Sequence, residues 1–352
     1  MKKSIRVSVA LLAGLALLLL AGSLVGCKKG AGKTLYLYNW TYYTPDSVIE
    51  KFEKEYGVKV VYDDYASNED MYAKLKAGGS GYDIVIPSGD YVSIMKGQEM
   101  LEEIDLSKVP NAKYIKKESL AKATYDPEMA YSVPYYMGAA GVAVNKEKVP
   151  EFKESWNIFA RKDLAGRMSM LDDMREVIGD ALAYLDYSVN TKNQAELDKA
   201  YELINNEWKP NLVKFDAEGF AKSFATGEFW VVQGYAEAVF AEIPAEMRDK
   251  VAFFIPKEEG GPMYIDSMCI PKGSKNPELA HLFINFILRP DIYAEFLDAF
   301  GFPSTIHTEA AALQKVTPLY SADAIVNCEL KDDLGENLEQ YNQIWQKIRF
   351  TE

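Results

Sequence analysis

Apolar positions in this chain fall into short runs separated by turn residues, and the runs alternate between two periods. Leu35-Tyr36-Leu37-Tyr38-Asn39 alternates with the period of two that marks a strand. Residues 44–57 take helical spacing, with Thr44 as the expected cap, Pro45 in the first turn and Gly57 as the stop. A second strand is predicted over 58–62. A helix over 67–77 follows, with Ser67 set to cap Asp70, and then a third strand over 83–86, closed by Pro87-Ser88-Gly89. This β-α-β-α-β order implies parallel strands joined by right-handed crossovers. Residues 138–144 predict one long strand leaving the first lobe.

The pattern then repeats. Strands are predicted over 168–171, 212–215, 230–233, 251–255 and 263–270, the last two able to cross back. Helices are predicted over 172–187, 194–208, 217–226, 277–288, 290–300 and 335–349. The expected architecture is two α/β lobes joined by extended crossovers.

The first segment stands outside this pattern. Lys2, Lys3 and Arg6 precede an uncharged apolar run over 7–20, and Leu24-Val25-Gly26-Cys27 places small residues just before a cysteine. That reads as a lipoprotein signal peptide over 1–26. The four residues resemble the bacterial lipobox, which implies acylation of Cys27. Acyl chains hold a protein at a bilayer without spanning it, so the remainder is expected to be exported and tethered through a flexible stretch over 27–33.

Without residues 1–26 the chain carries 36 Lys and Arg against 52 Asp and Glu, a net charge of −16. Such a body repels nucleic acid and anionic lipid and attracts small cations. About 325 residues exceed the size at which one core keeps growing, which again favours two lobes. Cys269 and Cys328 are read as buried thiols, with a disulfide between them as the alternative.

Catalytic chemistry has little to work with. His281 and His307 are the histidines, and His281 lies on an apolar helix as a core residue. No GxSxG, HExxH or phosphate-cradling loop occurs. An enzyme is not expected, and no cofactor or metal.

Carboxylates and aromatics at element junctions are the stronger signal. Trp40 and Tyr43 follow the first strand, at the edge where open α/β sheets bind ligands, while Tyr36 and Tyr38 are expected to pack the first lobe. Asp172, Asp173 and Glu176 meet a helix start, where acids also serve simply as caps, a role that suffices for Asp172. Asp173 and Glu176 can share one helix side. Tyr264 and Asp266 share one face of an apolar strand. A lone carboxylate buried there costs on the order of several kcal/mol, so it needs a partner or a polar cavity. Ser88 and Asp90 end the third strand, and Asp90 equally suits a cap. Tyr235 and Phe302 sit at turns, where each alone reads as core.

Several stretches together carry a resemblance: Tyr38-Asn39-Trp40-Thr41, residues 67–75, 83–88 and 172–177, Asp266-Ser267, Ile284-Asn285-Phe286 and Leu288-Arg289-Pro290-Asp291. In order and spacing the chain resembles the bacterial spermidine/putrescine-binding proteins of polyamine ABC importers, over nearly all its mature length. The resemblance implies a two-lobed α/β periplasmic-binding-protein fold. Each lobe would be a mixed, mostly parallel sheet flanked by helices, with a ligand cleft between lobes that closes on its cargo. The implied division is 34–138 with 265–310 for lobe 1, and 139–264 with 311–352 for lobe 2. Implied partners are putrescine or spermidine, a membrane permease, and the bilayer through Cys27, with the protein itself a monomer.

Position by position, Trp40 and Tyr43 match the family's aromatic wall, with Thr41 between them. Ser88 matches a polar contact on lobe 1, Asp173 and Glu176 match acids that hold amine nitrogens from lobe 2, and Asp266 matches the main ammonium partner. Tyr235 and Tyr264 stand where tryptophan is usual, Phe302 replaces a tyrosine, Asp90 stands where an aromatic is frequent, and Lys331 replaces a glutamine. A lysine facing the cleft would repel the end of a long triamine, so a tilt toward putrescine is expected. The alternatives are a binder of ferric iron or an amino acid on the same fold, a surface hydrolase using paired carboxylates, and a polyamine sensor.

Overall fold

The computed structural model describes residues 33–350, apart from 42, 66 and 80. The expected signal peptide, Cys27 and nearly all of the tether lie outside the described residues. Among the described residues no helix is long and apolar enough to cross a membrane.

Two mixed sheets form, each with helices packed on it. The first contains β1 (Thr34–Trp40), β2 (Lys59–Tyr65), β3 (Ile84–Val85), β4 (Ser132–Ala139), β10 (Pro262–Cys269) and β11 (Glu329–Leu330). Its order is β11-β10-β3-β1-β2, with β4 pairing on β10. β1 runs parallel to β2 and β3, whereas β10 is antiparallel to β3 and β4. The second contains β5 (Gly141–Asn145), β6 (Met168–Met170), β7 (Leu212–Phe215), β8 (Val231–Gly234) and β9 (Val251–Phe254), in the order β7-β6-β8-β5-β9. Here β6 is parallel to β7 and β8, and β5 is antiparallel to β8 and β9.

The chain crosses between the sheets wherever a strand of one is followed by a strand of the other. The long strand expected over 138–144 is divided at Ala140, β4 joining the first sheet and β5 the second. The apolar pattern hides the break because residues on both sides of it are buried. The expected division of the lobes also moves. β10 belongs to the first sheet from Pro262 onward, and Ile325, Cys328 and Leu330 pack in the first core. The second core begins again at Leu334 and takes in Tyr341, Trp345 and Ile348 of the last helix.

Aromatic packing fixes the first lobe. Phe52 meets Phe283 and Phe286 edge-on at 5.0 and 5.2 Å, contacts each worth about 0.5–1.5 kcal/mol beyond their buried area. Tyr38 is buried and stacks on Tyr82 at 4.4 Å, but Tyr36, expected to pack the lobe, is 40% exposed. Thr44 does not cap its helix. Pro45 holds that position without a side-chain bond, and the Thr44 hydroxyl instead accepts from Asn39 Nδ2 and bonds Tyr135, both at 3.0 Å. Ser67 does cap, accepting from the Asp70 amide at 3.1 Å. The helix expected over 194–208 is α-helical through Leu203 and widens to a π-helical turn over Ile204–Trp208. Cys269 and Cys328 are both buried free thiols, and His281 is buried, accepting from the Asp105 amide at 2.9 Å.

Candidate functional site

The helix Met174–Tyr184 brings one group of acids to the space between the sheets. Asp173 is its N-cap, accepting from the amides of Arg175 at 2.8 Å and Glu176 at 3.0 Å. Asp172 turns away and pairs with Arg349 at 3.1 Å. Glu176 is fully buried, and its Oε1 is ion-paired with Lys331, which follows directly after β11. Burial raises the Glu176 carboxyl, and Lys331 partly offsets this. For Lys331, burial pulls the ammonium down, but Glu176, Asp173 and Asp90 outweigh it and hold the group above the usual lysine range. Asp90 faces Lys331 and Arg175 across the gap, and burial raises its carboxyl. Lys331 thus already supplies a cation to the acids of the second lobe.

The second group is built on β10 and β3. Ser88 ends the turn after β3, and its Oγ donates to Asp266 Oδ1 at 2.6 Å. Asp266 is 4% exposed. Burial pushes its carboxyl up to about 6, against the lowering effect of Ser88 and Tyr43. The Tyr43 hydroxyl is buried without a bond of good geometry, facing this carboxylate. Around Asp266 stand aromatic faces. Tyr235 and Tyr264 meet edge-on at 6.0 Å, and the ring of Trp40 is anchored by its Nε1, which donates to the Ile86 carbonyl at 3.0 Å.

Two sequence candidates stand apart from the polar groups. Thr41 is exposed, with its hydroxyl and amide both directed at the Tyr65 carbonyl at 3.4 and 3.2 Å. Phe302 is 1% exposed in the first core, stacked on Tyr136 at 4.1 Å and 6.3 Å from Tyr43, so it backs the aromatic wall from behind.

Other residues join the site without a sequence signal of their own. Asp180, one turn after Glu176, is fully buried. It accepts from Gln233 Nε2 through one oxygen, while the other has no partner. Burial, then Glu176, pushes its carboxyl well above the usual range. Tyr136 and Tyr320 bond hydroxyl to hydroxyl at 3.0 Å beside Tyr264. Glu237 faces the same tyrosines and Asp266. Its position two residues past Tyr235, just after β8, was the available clue, since that is the strand-to-helix junction that also marked Asp173.

The arrangement suits an elongated cation, with carboxylates held apart and aromatic faces between them. Among the described residues no group of three or more His, Cys, Asp or Glu side chains is arranged to hold a metal ion.

Comparison with known proteins agrees with this chemistry. A family model described as bacterial extracellular solute-binding protein matches residues 47–327. The spermidine/putrescine-binding periplasmic protein of Escherichia coli (strain K12) is 37% identical over 326 residues, covering 90% of this chain and 91% of that one. The putrescine-binding periplasmic protein SpuD of Pseudomonas aeruginosa is 36% identical over 327 residues, covering 88% and 86%. Among solved structures, the TpPotD lipoprotein of Treponema pallidum is 62% identical with a TM-score of 0.89, covering 90% of this chain and all 100% of that one.

Proposed function

This chain belongs to the bacterial extracellular solute-binding proteins, and from that membership we propose that it captures a polyamine outside the cytoplasm and delivers it to an ABC importer. The observation that carries this reading is Asp266, a buried carboxylate that makes no ion pair among the described residues and feels Lys331 only as a more distant charge, set among tyrosine rings from both lobes. An ammonium group supplies the missing charge. The methylenes beside it pack on the rings of Trp40, Tyr43, Tyr235 and Tyr264, and each cation–ring contact adds about 0.5–2 kcal/mol. A ligand lacking an amine leaves a carboxylate unpaired, which is the source of discrimination.

Ligand length follows from Lys331. Its ammonium occupies the place beside Glu176 that the end of a triamine would need, and Asp90 and Asp173 lean on the same charge. The shorter diamine putrescine is therefore favoured over spermidine. Residues 24–27 support a lipid anchor at Cys27 that keeps the protein near the permease, and the related Treponema pallidum protein is itself described as a lipoprotein.

Calorimetric titration of the lipid-free protein with putrescine, cadaverine, spermidine and spermine tests the reading. Putrescine should bind far more tightly than millimolar, a limit that corresponds to about 4 kcal/mol, and Asp266→Asn should abolish the signal. Lys331→Gln should move the preference toward spermidine. If no polyamine binds below millimolar the reading fails, and if Lys331→Gln leaves the ratio unchanged the length argument fails.

A further inference from the structure

Glu237 lies in the first turn of the short helix Ala236–Glu242, which β8 delivers to the cleft. Its carboxylate faces Asp266 and the hydroxyl-bearing rings of Tyr235, Tyr264, Tyr320 and Tyr136. These come from β10, from β4, from the segment before β11 and from its own junction, and no Lys or Arg is among them. Among the described residues Glu237 makes no ion pair and bonds no other residue's side chain; its compensation is its own backbone amide. Burial, helped by Asp266, pushes its carboxyl up to about 7. Glu176, Asp173 and Asp90 share Lys331, whose charge also reaches Asp266 without an ion pair, whereas Glu237 feels no Lys or Arg and lies close enough to Asp266 for the two carboxylates to oppose each other. Beside them the Tyr43 hydroxyl is buried and unpartnered.

We propose that Glu237 is the second ammonium-holding carboxylate of the cleft. A short diamine is then gripped by Asp266 and Glu237, with its methylenes on Tyr235 and Tyr264, instead of reaching across to Glu176. This rests on the polyamine reading above and sharpens it, because it sets where along the cleft the ligand lies. It also gives Lys331 a role, as a tethered cation that confines the ligand to the Asp266 end.

The experiment compares the unmodified protein with Glu237→Gln and Glu237→Asp, using putrescine, which carries two ammonium groups, and n-butylamine, which carries one. n-Butylamine is read by competition at millimolar concentration. Glu237→Gln should lower putrescine affinity at least tenfold and leave n-butylamine within about twofold, since Asp266 alone holds the monoamine. Glu237→Asp should recover part of the loss. Calorimetry in two buffers of different ionisation heat should count fewer protons released at pH 7 by Glu237→Gln than by the unmodified protein. Undiminished putrescine binding by Glu237→Gln overturns the proposal alone. An equal loss for both amines overturns it too, because it reports a merely structural role. Failure of the unmodified protein to bind any polyamine overturns the polyamine reading first, and this proposal with it.

Discussion

At the scale of single residues, burial sets the chemistry. Asp266 and Glu237 hold protons up to about 6 and about 7 because burial disfavours their charge. An ammonium pairs with the ionised form only, so putrescine binding should tighten from about pH 5.5 to about 8 and release protons near pH 7. Stability without ligand runs the other way. In the unfolded chain these groups titrate near about 4, so the folded form binds the extra protons. Their favourable contribution is complete below about pH 4 and is lost as pH rises through about 6 and 7. Melting curves without ligand should therefore shift downward between pH 5 and 7.5, while the upward shift on adding putrescine grows. A putrescine-induced shift that is flat across this range would contradict the assignment of these two carboxylates.

At the scale of elements, the positions of the aromatic walls depend on strand pairing. Tyr264 in β10 lies opposite Gly138 in β4. A Cβ at Gly138 would stand 2.6 Å from the Tyr264 hydroxyl oxygen and 3.1 Å from the Tyr136 ring, so the ring rests where only glycine leaves room. Gly138→Ala should push Tyr264 out of place and weaken putrescine binding severalfold. The cost in stability should stay within about 1–3 kcal/mol, the usual range for overpacking. Binding measured beside denaturant melts separates the two effects, and full affinity in this variant would remove Tyr264 from the wall. The helix Met174–Tyr184 follows similar logic. Its cap Asp173 fixes the first turn, and the spacing of Glu176 and Asp180 one turn apart carries both carboxyls inward.

At the scale of the whole molecule, charge and connection matter most. With residues 1–26 removed, a net charge of −16 draws a small cation toward the cleft. Stopped-flow association with putrescine should slow severalfold between about 50 and 500 mM NaCl, as the screening length falls from about 14 Å to about 4 Å. A salt-independent rate would mean the overall field plays no part. The chain passes between the lobes at Ala140, between β9 and β10, and after β11. The cleft therefore sits between two bodies joined by extended strands, an architecture suited to closing over a ligand.

The sequence by itself determined much of the succession of strands and helices, because hydrophobic period, caps and glycine stops act between near neighbours in the chain, but it missed the helices Gly89–Gly97 and Ala236–Glu242 and most of β4. It also singled out Asp266, since a carboxylate in an apolar strand has few places to go. The tertiary structure decided what no local pattern encodes. It divided residues 138–144 between two sheets and left Thr44 to bond Asn39 and Tyr135. Glu176 and Lys331, 155 residues apart, meet only when β11 returns to the first sheet, so their neutralisation is invisible in one dimension. Glu237 carries no mark of its own in the sequence, where no helix is predicted over 236–242. Its significance comes from which rings, and which missing cation, the folded chain places around it.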